Sequence, residues 1–226
     1  MTRLSVIIPV YNEEKNIGRV IEAVNKVKIP KEIIVVNDFS SDGSLPELKK
    51  FKLKSLKVVS HTKNMGKGAA IRTGIKEASG NIILIQDADM EYNPQDYYSL
   101  VKPIEDGRAK VVYGSRFKGS IKGMALANWL ANKILTMTAN VLYLINITDE
   151  ATCYKVFKSE ILKNQKLKCN RFDFCPEITA KLSKQGVKIY EVPIQYNGRT
   201  KGEGKKIRWN DGVAALWSLV KYRFTN

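Results

Sequence analysis

The stretch ILIQDADMEYNP, residues 83–94, joins an apolar strand pattern to three carboxylates at alternate positions. The apolar run Ile82 to Ile85 comes first, and Asp87, Asp89 and Glu91 follow it. Like charges this close repel one another, and folding alone gives no reason to collect them. The stretch therefore predicts a buried strand whose end holds a positive partner.

Strand patterns alternate with helix patterns around this stretch. We predict strands at residues 4–9, 32–36, 56–60, 81–86 and 110–113, with helices between them. Such alternation is typical of an α/β fold with a mostly parallel sheet and helices on both faces. Further along the chain we predict helices at 123–147, 174–185 and 213–224, and a strand at 187–192 that Pro193 ends. No linker or repeat divides the chain, so we expect a single domain.

The chain of 226 residues has a net charge of +16, and most of the excess comes late. Residues 151–226 alone carry +10. A basic surface attracts nucleic acid, anionic lipid or phosphorylated substrates. No run reaches the roughly 18 apolar residues of a spanning helix, and the N-terminal apolar run is too short for a signal peptide. Three cysteines without metal-type spacing predict free thiols and a cytoplasmic location.

Three polar loops follow the predicted strands: YNEE at 11–14, NDFSSDGS at 37–44 and QDADME at 86–91. In parallel sheets ligands bind beyond the carboxyl ends of the strands, where these loops meet. Carboxylate oxygens in this number suit Mg²⁺ or Mn²⁺. Asp38, at the end of the second strand, is suited to accept hydrogen bonds from a nucleobase or ribose.

Two further features near this edge are weaker. NMGKGAA, residues 64–70, resembles an anion-binding turn at a helix N-terminus, with Lys67 between two glycines. His61 is the only histidine, and its position suggests no partner, so we interpret it as structural. A single histidine also argues against a Ser-His-Asp triad and against zinc.

The motifs IIPVYNEE, VNDFSSDGS, NMGKGAAIRTG, QDADMEYNP, GSRF and TDEATCYKVF occur in this order. In that order they resemble the inverting family 2 glycosyltransferases of GT-A (Rossmann-like) fold, over residues 3–200. Within the family the chain is most similar to dolichyl-phosphate mannose synthases and related polyprenyl-phosphate glycosyltransferases. The resemblance implies a nucleotide-sugar-binding half at 1–115. It also implies an acceptor half at 116–226, with a basic loop at 198–208 and a C-terminal helix.

Two departures from the family pattern leave the donor open. Asn37 stands where the family usually has the first of two adjacent aspartates. The segment RTKGEGKKI, residues 199–207, replaces the Arg-x-x-Gly-x-Ser-Lys pattern typical of mannose synthases. The nucleotide, GDP or UDP, and the sugar therefore both stay open.

The resemblance implies a role for each site residue. The residues implied in nucleotide-sugar binding are Pro9, Tyr11, Glu13, Asp38, Lys67, Asp87 and Ala88. The implied metal ligands are Asp87, Asp89 and Glu91, and the implied catalytic residues are Asp149, Glu177 and Arg116. The side chains implied to hold the acceptor phosphate are Arg116, Arg199, Lys201, Lys205 and Lys206.

The resulting hypothesis is a metal-dependent transfer of a hexose from a nucleotide sugar to a polyprenyl or dolichyl phosphate. We expect the reaction at the cytoplasmic face of a membrane, reached by peripheral contact or through a membrane-bound partner. A soluble or cell-surface glycan is the alternative acceptor. A nucleotidyltransferase fits less well, because YNEE is acidic where that class carries a basic glycine-rich loop. Nucleic acid is not an expected partner, since the basic residues lack interleaved aromatics.

Overall fold

The apolar runs at residues 4–10, 33–36 and 82–85 form strands that are buried on both faces of one sheet, as expected for a parallel sheet covered by helices. The structure, a computed structural model, describes residues 3–199 and 209–225, and the side chains of 209 and 210 are not described. The strands in the described residues are β1 Leu4–Val10, β2 Lys31–Asn37, β3 Leu56–Ser60, β4 Ile82–Ile85, β5 Val111–Lys122, β6 Lys155–Lys158 and β7 Ile189–Asn197. The α helices there are α1 Ile17–Lys26, α2 Ser44–Lys49, α3 Lys67–Glu77, α4 Tyr97–Glu105, α5 Leu126–Tyr143, α6 Ser159–Lys163, α7 Phe174–Lys184 and α8 Trp209–Phe224.

The strand order across the sheet is β3-β2-β1-β4-β6-β5-β7. The strands pair in parallel, except that β6 runs antiparallel to both β4 and β5. The mostly parallel α/β sheet in a single domain is therefore confirmed. The pattern did not predict β6, because KVFK is only four residues long and its two lysines interrupt any apolar run.

Helix α1 shows how the sequence pattern is satisfied. Its apolar residues at helical spacing, Ile17, Val20, Ile21 and Val24, are all buried. Each buried aliphatic side chain of this size contributes about 1.5–3 kcal/mol of transfer free energy. On helix α3, a Cβ added to Gly74 would lie 2.3 Å from Ile7 Cγ2 of β1. Only glycine therefore allows α3 to pack this closely against β1.

Two strands extend well past their predicted C-terminal ends. Strand β5 continues through the GSRF motif to Lys122, instead of ending at Tyr113. Strand β7 passes through Pro193, so the prediction that this proline ends the strand was wrong. The reason is that β7 is the edge strand of the sheet, where a missing backbone N–H is tolerated. The pairing of β5 with β7 also shifts register between Ser115 and Ser120.

A second, smaller core lies outside the sheet. It is formed mainly by α5, α7 and α8, and its buried residues are Leu135, Ala139, Tyr143, Ala180, Ala215, Leu219 and Tyr222. The Tyr143 hydroxyl donates to the Leu219 carbonyl at 2.6 Å, which ties α5 to α8. These two helices therefore bury one face against each other and leave another face outside.

Candidate active site

The predicted loops meet at the carboxyl edge of β1, β2 and β4. Val10 pairs with Asn37, and Ile7 with Ile85, so the residues that follow these strands are neighbours. Pro9 is buried within β1, whereas Tyr11 directly after the strand is 41% exposed. Ala88, in the loop after β4, is buried.

Asp38 holds the turn that precedes α3. Its two oxygens accept the backbone N–H groups of Met65 at 2.8 Å and Gly66 at 2.7 Å. The first N–H groups of α3 are also used, because Gly68 donates to the Arg171 carbonyl at 2.8 Å. The N–H groups of this turn therefore serve the Asp38 carboxylate of the chain itself.

His61 belongs to the same network. Its Nδ1 lies 2.7 Å from Asp38 Oδ1, and its Nε2 lies 2.9 Å from Thr73 Oγ1 on α3. The histidine therefore has partners that its sequence position did not suggest, and it connects Asp38 to the helix. Gly66 completes the turn with φ +91°, and a Cβ there would lie 2.3 Å from the Asn170 carbonyl oxygen.

Asp87 and Lys67 form an ion pair, with Nζ 2.5 Å from Oδ1. Burial alone would raise the pKa of Asp87, but the charge and hydrogen bond of Lys67 outweigh it and lower that pKa. The same pairing raises the pKa of Lys67 although burial opposes it. Lys67 therefore stays protonated and positively charged at the carboxyl edge of the sheet.

Arg199 is the positive partner that the other carboxylates hold in this structure. Its Nη2 lies 2.6 Å from Asp89 Oδ2, its Nη1 lies 3.3 Å from Glu13 Oε2, and its Nε lies 3.7 Å from Glu91 Oε1. The backbone N–H of Arg199 also donates to Glu91 Oε1 at 2.8 Å. We call Glu13, Asp89 and Glu91 the acidic cluster. Sequence reasoning had assigned Arg199 to the acceptor phosphate, and no local pattern signals a pairing across more than 100 residues.

The acidic cluster carries more negative charge than Arg199 balances. Burial, followed by the charges of Asp87 and Glu91, raises the pKa of Asp89 to about 7, although Arg199 opposes the shift. A further positive charge nearby would stabilise the ionised form of such a carboxyl group and lower its pKa.

The residues expected to hold a metal are Asp87, Asp89 and Glu91. They are chemically suited to this role, because all of them offer the hard carboxylate oxygens that Mg²⁺ and Mn²⁺ prefer. Among the residues that the structure describes, no three acidic, cysteine or histidine side chains stand in a metal-ligating arrangement. In the same residues Lys67 pairs with Asp87, whereas Arg199 pairs with Asp89 and Glu91.

Arg116 and Asp149, both predicted as catalytic, form a buried pair beside the cluster. Arg116 Nε and Nη2 each donate to Asp149 at 2.7 Å, and the Arg116 backbone N–H donates to it at 3.0 Å. Tyr196 links this pair to the cluster. Arg116 lies over its ring at 5.3 Å, and its hydroxyl donates to Glu91 at 3.0 Å. Tyr196 was not predicted, because only tertiary structure brings it to both partners.

Glu177, the third predicted catalytic residue, has a different environment. Its buried carboxylate accepts the N–H groups of Lys168 at 2.8 Å and Cys169 at 2.6 Å, and it pairs with Lys181 at 2.8 Å. The carbonyl groups of Asn170 and Arg171, just after these residues, in turn accept N–H groups from the first turn of α3. The structure thus connects Glu177 to the loop behind the site. Lys201, Lys205 and Lys206 lie outside the described residues.

Helices α5 and α8 each carry an exposed apolar stripe. Side chains on α5 and just after it, 41 to 90% exposed, recur every three or four residues: Leu126, Leu130, Ile134, Met137, Val141 and Leu144. Those of α8 are 56 to 81% exposed: Val213, Trp217 and Phe224. Such spacing places each set on one side of its helix. In the described part of the chain, none of the helices has the length and apolarity needed to cross a membrane.

Comparison with known proteins gives a consistent family. The family model described as glycosyl transferase family 2 matches residues 5–165, more than two thirds of the chain. The chain is 29% identical to a dolichol-phosphate mannosyltransferase of Pyrococcus furiosus, over 90% of this chain and 59% of that protein. It is 28% identical to a dodecaprenyl-phosphate galacturonate synthase of Rhizobium johnstonii, over 89% of this chain and 61% of that protein. The chain thus spans about three fifths of the length of these two relatives.

The fold also matches solved structures. Glucosyl-3-phosphoglycerate synthase of Mycobacterium tuberculosis, crystallised with Mn²⁺, uridine diphosphate and phosphoglyceric acid, superposes with a TM-score of 0.74 at 17% identity. The match covers 100% of this chain and 80% of that structure. At this identity the likeness establishes the GT-A fold alone.

Proposed function

Because the chain belongs to glycosyltransferase family 2, we propose that it transfers a hexose, with inversion, from a GDP- or UDP-linked sugar to a polyprenyl or dolichyl phosphate. The observation that carries the proposal is the acidic cluster at the carboxyl edge of the sheet, next to Lys67 and the Arg116–Asp149 pair. The names of both curated relatives contain a polyprenyl phosphate acceptor, which supports the acceptor class.

Asp87, Asp89 and Glu91 would hold Mg²⁺ or Mn²⁺. When bound, the ion supplies Lewis-acid stabilisation of the charge that develops on a departing diphosphate. Lys67 adds a fixed positive charge at the same place, since its ion pair with Asp87 keeps it protonated. A nucleotide would lie along the ends of β1 and β4, beside Glu13 of the acidic cluster and the neighbouring residues Pro9, Tyr11 and Ala88.

Asp38 would contribute to donor binding by fixing the turn before α3, and not by contacting the donor. Both of its oxygens already accept hydrogen bonds from Met65, Gly66 and His61. The carboxylate thereby fixes the turn that places Lys67 beside Asp87. Asp38 would therefore be a positioning residue, in place of the nucleobase contact that the resemblance implied.

Two carboxylates, Asp149 and Glu177, could serve as general bases. The partners that they already have favour a phosphate acceptor over a sugar hydroxyl. A sugar hydroxyl needs a base within hydrogen-bond reach, whereas a lipid phosphate is already an anion. The Asp149 carboxylate is committed to Arg116, and that of Glu177 to backbone N–H groups and Lys181. Arg116, whose Nε and Nη2 pair with Asp149, would instead position the phosphate through its remaining Nη1. Arg199 and three lysines outside the described residues, Lys201, Lys205 and Lys206, complete the proposed phosphate contacts.

The proposal includes contact with an anionic membrane surface, which the apolar stripes of α5 and α8 support. Exposed apolar side chains on one side of a helix favour burial at the lipid interface. Lys221 and Arg223 are exposed on α8 and would add attraction of about 1 kcal/mol each toward anionic headgroups. A membrane-bound partner subunit is the competing occupant of the same face.

Product analysis tests the proposal. Nucleotide sugars are supplied one by one with Mn²⁺ or Mg²⁺, and with either a polyprenyl phosphate or an oligosaccharide as acceptor. We expect a glycosyl polyprenyl phosphate to form with one donor. Exclusive transfer to the oligosaccharide would support the soluble-glycan alternative, and no transfer from any donor would contradict both.

Asp89→Ala tests the metal site within the same assay. We expect metal-dependent turnover to fall by about 10²–10³-fold or more, by analogy with the loss of other electrostatic groups at reacting centres. Asp106→Ala is the matched control, because Asp106 lies away from the site and pairs with Lys102 and Arg108 at 3.2 and 3.0 Å. Undiminished activity in Asp89→Ala, with the fold intact by circular dichroism, would remove Asp89 from the metal site.

A further inference from the structure

We propose that Arg199 is the resident counter-ion of the acidic cluster and that a divalent metal ion displaces its guanidinium. The inference rests on the proposed metal site and adds a property to it: metal and guanidinium compete for Asp89 and Glu91, which Arg199 approaches to 2.6 and 3.7 Å. Metal binding would then release a positive side chain at the place where phosphate groups are expected.

The geometry places the guanidinium among the oxygens a metal would need. Nη2 lies 2.6 Å from Asp89 Oδ2, and Nη1 lies within 3.5 Å of both Glu13 oxygens. The side chain of Arg199 is 15% exposed, and those of its three carboxylate partners are 9 to 11% exposed. The guanidinium is therefore inserted between the carboxylates and does not lie on the surface above them.

Simultaneous occupation is unfavourable for two reasons. Asp89 Oδ2 already accepts a short hydrogen bond, whereas a Mg²⁺ ion needs its oxygen ligands at about 2.0–2.1 Å. Two cations held a few ångströms apart in a partly buried site also repel strongly. Three carboxylates face a single guanidinium, so a doubly charged ion is the stronger competitor.

The backbone of Arg199 has its own attachment. Its N–H donates to Glu91 Oε1, and residue 197 donates its N–H to the Glu91 carbonyl at 2.8 Å. The main chain is thus tied to the loop after β4 independently of the guanidinium. The side chain can leave the cluster and remain near it, which suits a group that next meets the phosphate of a donor or acceptor.

Metal affinity in the absence of nucleotide provides the first test. Free Mn²⁺ is titrated by electron paramagnetic resonance against the wild-type chain, Arg199→Gln and Arg108→Gln. We expect Arg199→Gln to bind Mn²⁺ about tenfold more tightly than wild type, which corresponds to about 1.4 kcal/mol and is close to the lower end of the coupling measured for close charge pairs. Arg108→Gln is the control, since it removes the same charge from a side chain that pairs with Asp106 at 3.0 Å. An affinity in Arg199→Gln that is unchanged or weaker would overturn the proposal.

A second measurement needs no variant. Arginines of the wild-type chain are modified with phenylglyoxal, with and without Mn²⁺, and the reaction at each arginine is followed by mass spectrometry of peptides. We expect Mn²⁺ to speed modification of Arg199 several-fold and to leave Arg108 unchanged in the same sample. Equal or slower modification of Arg199 would overturn the proposal, whether or not Arg199→Gln folds.

Neither measurement involves a sugar donor or an acceptor. Failure of the proposed transfer activity would therefore leave the competition intact, and failure of the competition would leave the transfer activity intact.

Discussion

The Arg116 guanidinium meets the Asp149 carboxylate at two points, Nε to Oδ2 and Nη2 to Oδ1, each at 2.7 Å. Both side chains are nearly inaccessible to solvent, at 7% and 0% exposure. Such a pair is costly to break on one side, because the remaining charge stays buried without its partner. Arg116 and Asp149, which the sequence predicted as separate catalytic residues, thus form one ion pair.

We expect Asp149→Asn to lower the free energy of unfolding by about 3–5 kcal/mol, the usual cost of removing one partner of a buried pair. The double variant Arg116→Met/Asp149→Leu should recover most of that loss, since apolar replacements of buried pairs are often neutral. Urea unfolding measures both, and transferase activity should stay absent in the double variant. Full activity there would show that Arg116 does not position the acceptor.

Asp38→Asn should weaken the turn before α3. An amide offers one acceptor oxygen where the carboxylate serves Met65, Gly66 and His61, so we expect a loss of about 1–3 kcal/mol in unfolding free energy. Because the turn places Lys67, the KM for the sugar donor should rise as well. His61→Ala, which leaves both backbone bonds to Asp38, should cost less. If His61→Ala proved the more damaging, the imidazole and not the turn would be the main partner of Asp38.

The Glu177 carboxyl group should make the free energy of unfolding depend on pH. Burial alone would raise its pKa, but the hydrogen bonds from Lys181, Lys168 and Cys169 lower it below the ordinary value of 4.5. A carboxyl group with a depressed pKa in the folded state stabilises the protein above its unfolded pKa. That stabilisation is lost as the pH falls through the folded value.

We therefore expect Glu177→Gln to be less stable than wild type at pH 7 by at least about 1 kcal/mol. The difference should shrink as the pH falls below 4.5. Urea unfolding between pH 7 and pH 3 measures it, with Glu105→Gln, an exposed residue at the end of α4, as control. A difference that stayed constant across this range would mean that the charge of Glu177 is not what stabilises the loop at 168–171.

Leu130→Glu should reduce binding to membranes. Leu130 is 53% exposed on the apolar stripe of α5, so the substitution places a charge on the proposed lipid-contacting face without entering the core. Co-flotation with vesicles of anionic lipid at low salt should fall several-fold. Val58→Glu is the control, since Val58 is an exposed apolar residue on the edge strand β3, 39% exposed. Equal flotation of Leu130→Glu and wild type would exclude this face of α5 as the lipid contact.

Much of the first half of the fold was predictable from the sequence. Continuous apolar runs such as Ile82 to Ile85 and helical spacings such as that of α1 are local signals, and the structure confirms them. The edge strand through Pro193 and the antiparallel strand β6 were not predictable. Whether a strand tolerates a proline, or which way a short strand runs, depends on its neighbours in the sheet.

The sequence by itself determined that carboxylates gather after β4 and need a cation, because their spacing along one strand end is a local property of the chain. Only the tertiary structure decided which cations meet them. Lys67 reaches Asp87 across the β3–α3 turn, and Arg199 reaches Asp89 from the far end of β7. The same holds for the pairing of Arg116 with Asp149 and for the three donors to Asp38. These partners are distant in the chain, so packing brings them together and no local pattern records the contact.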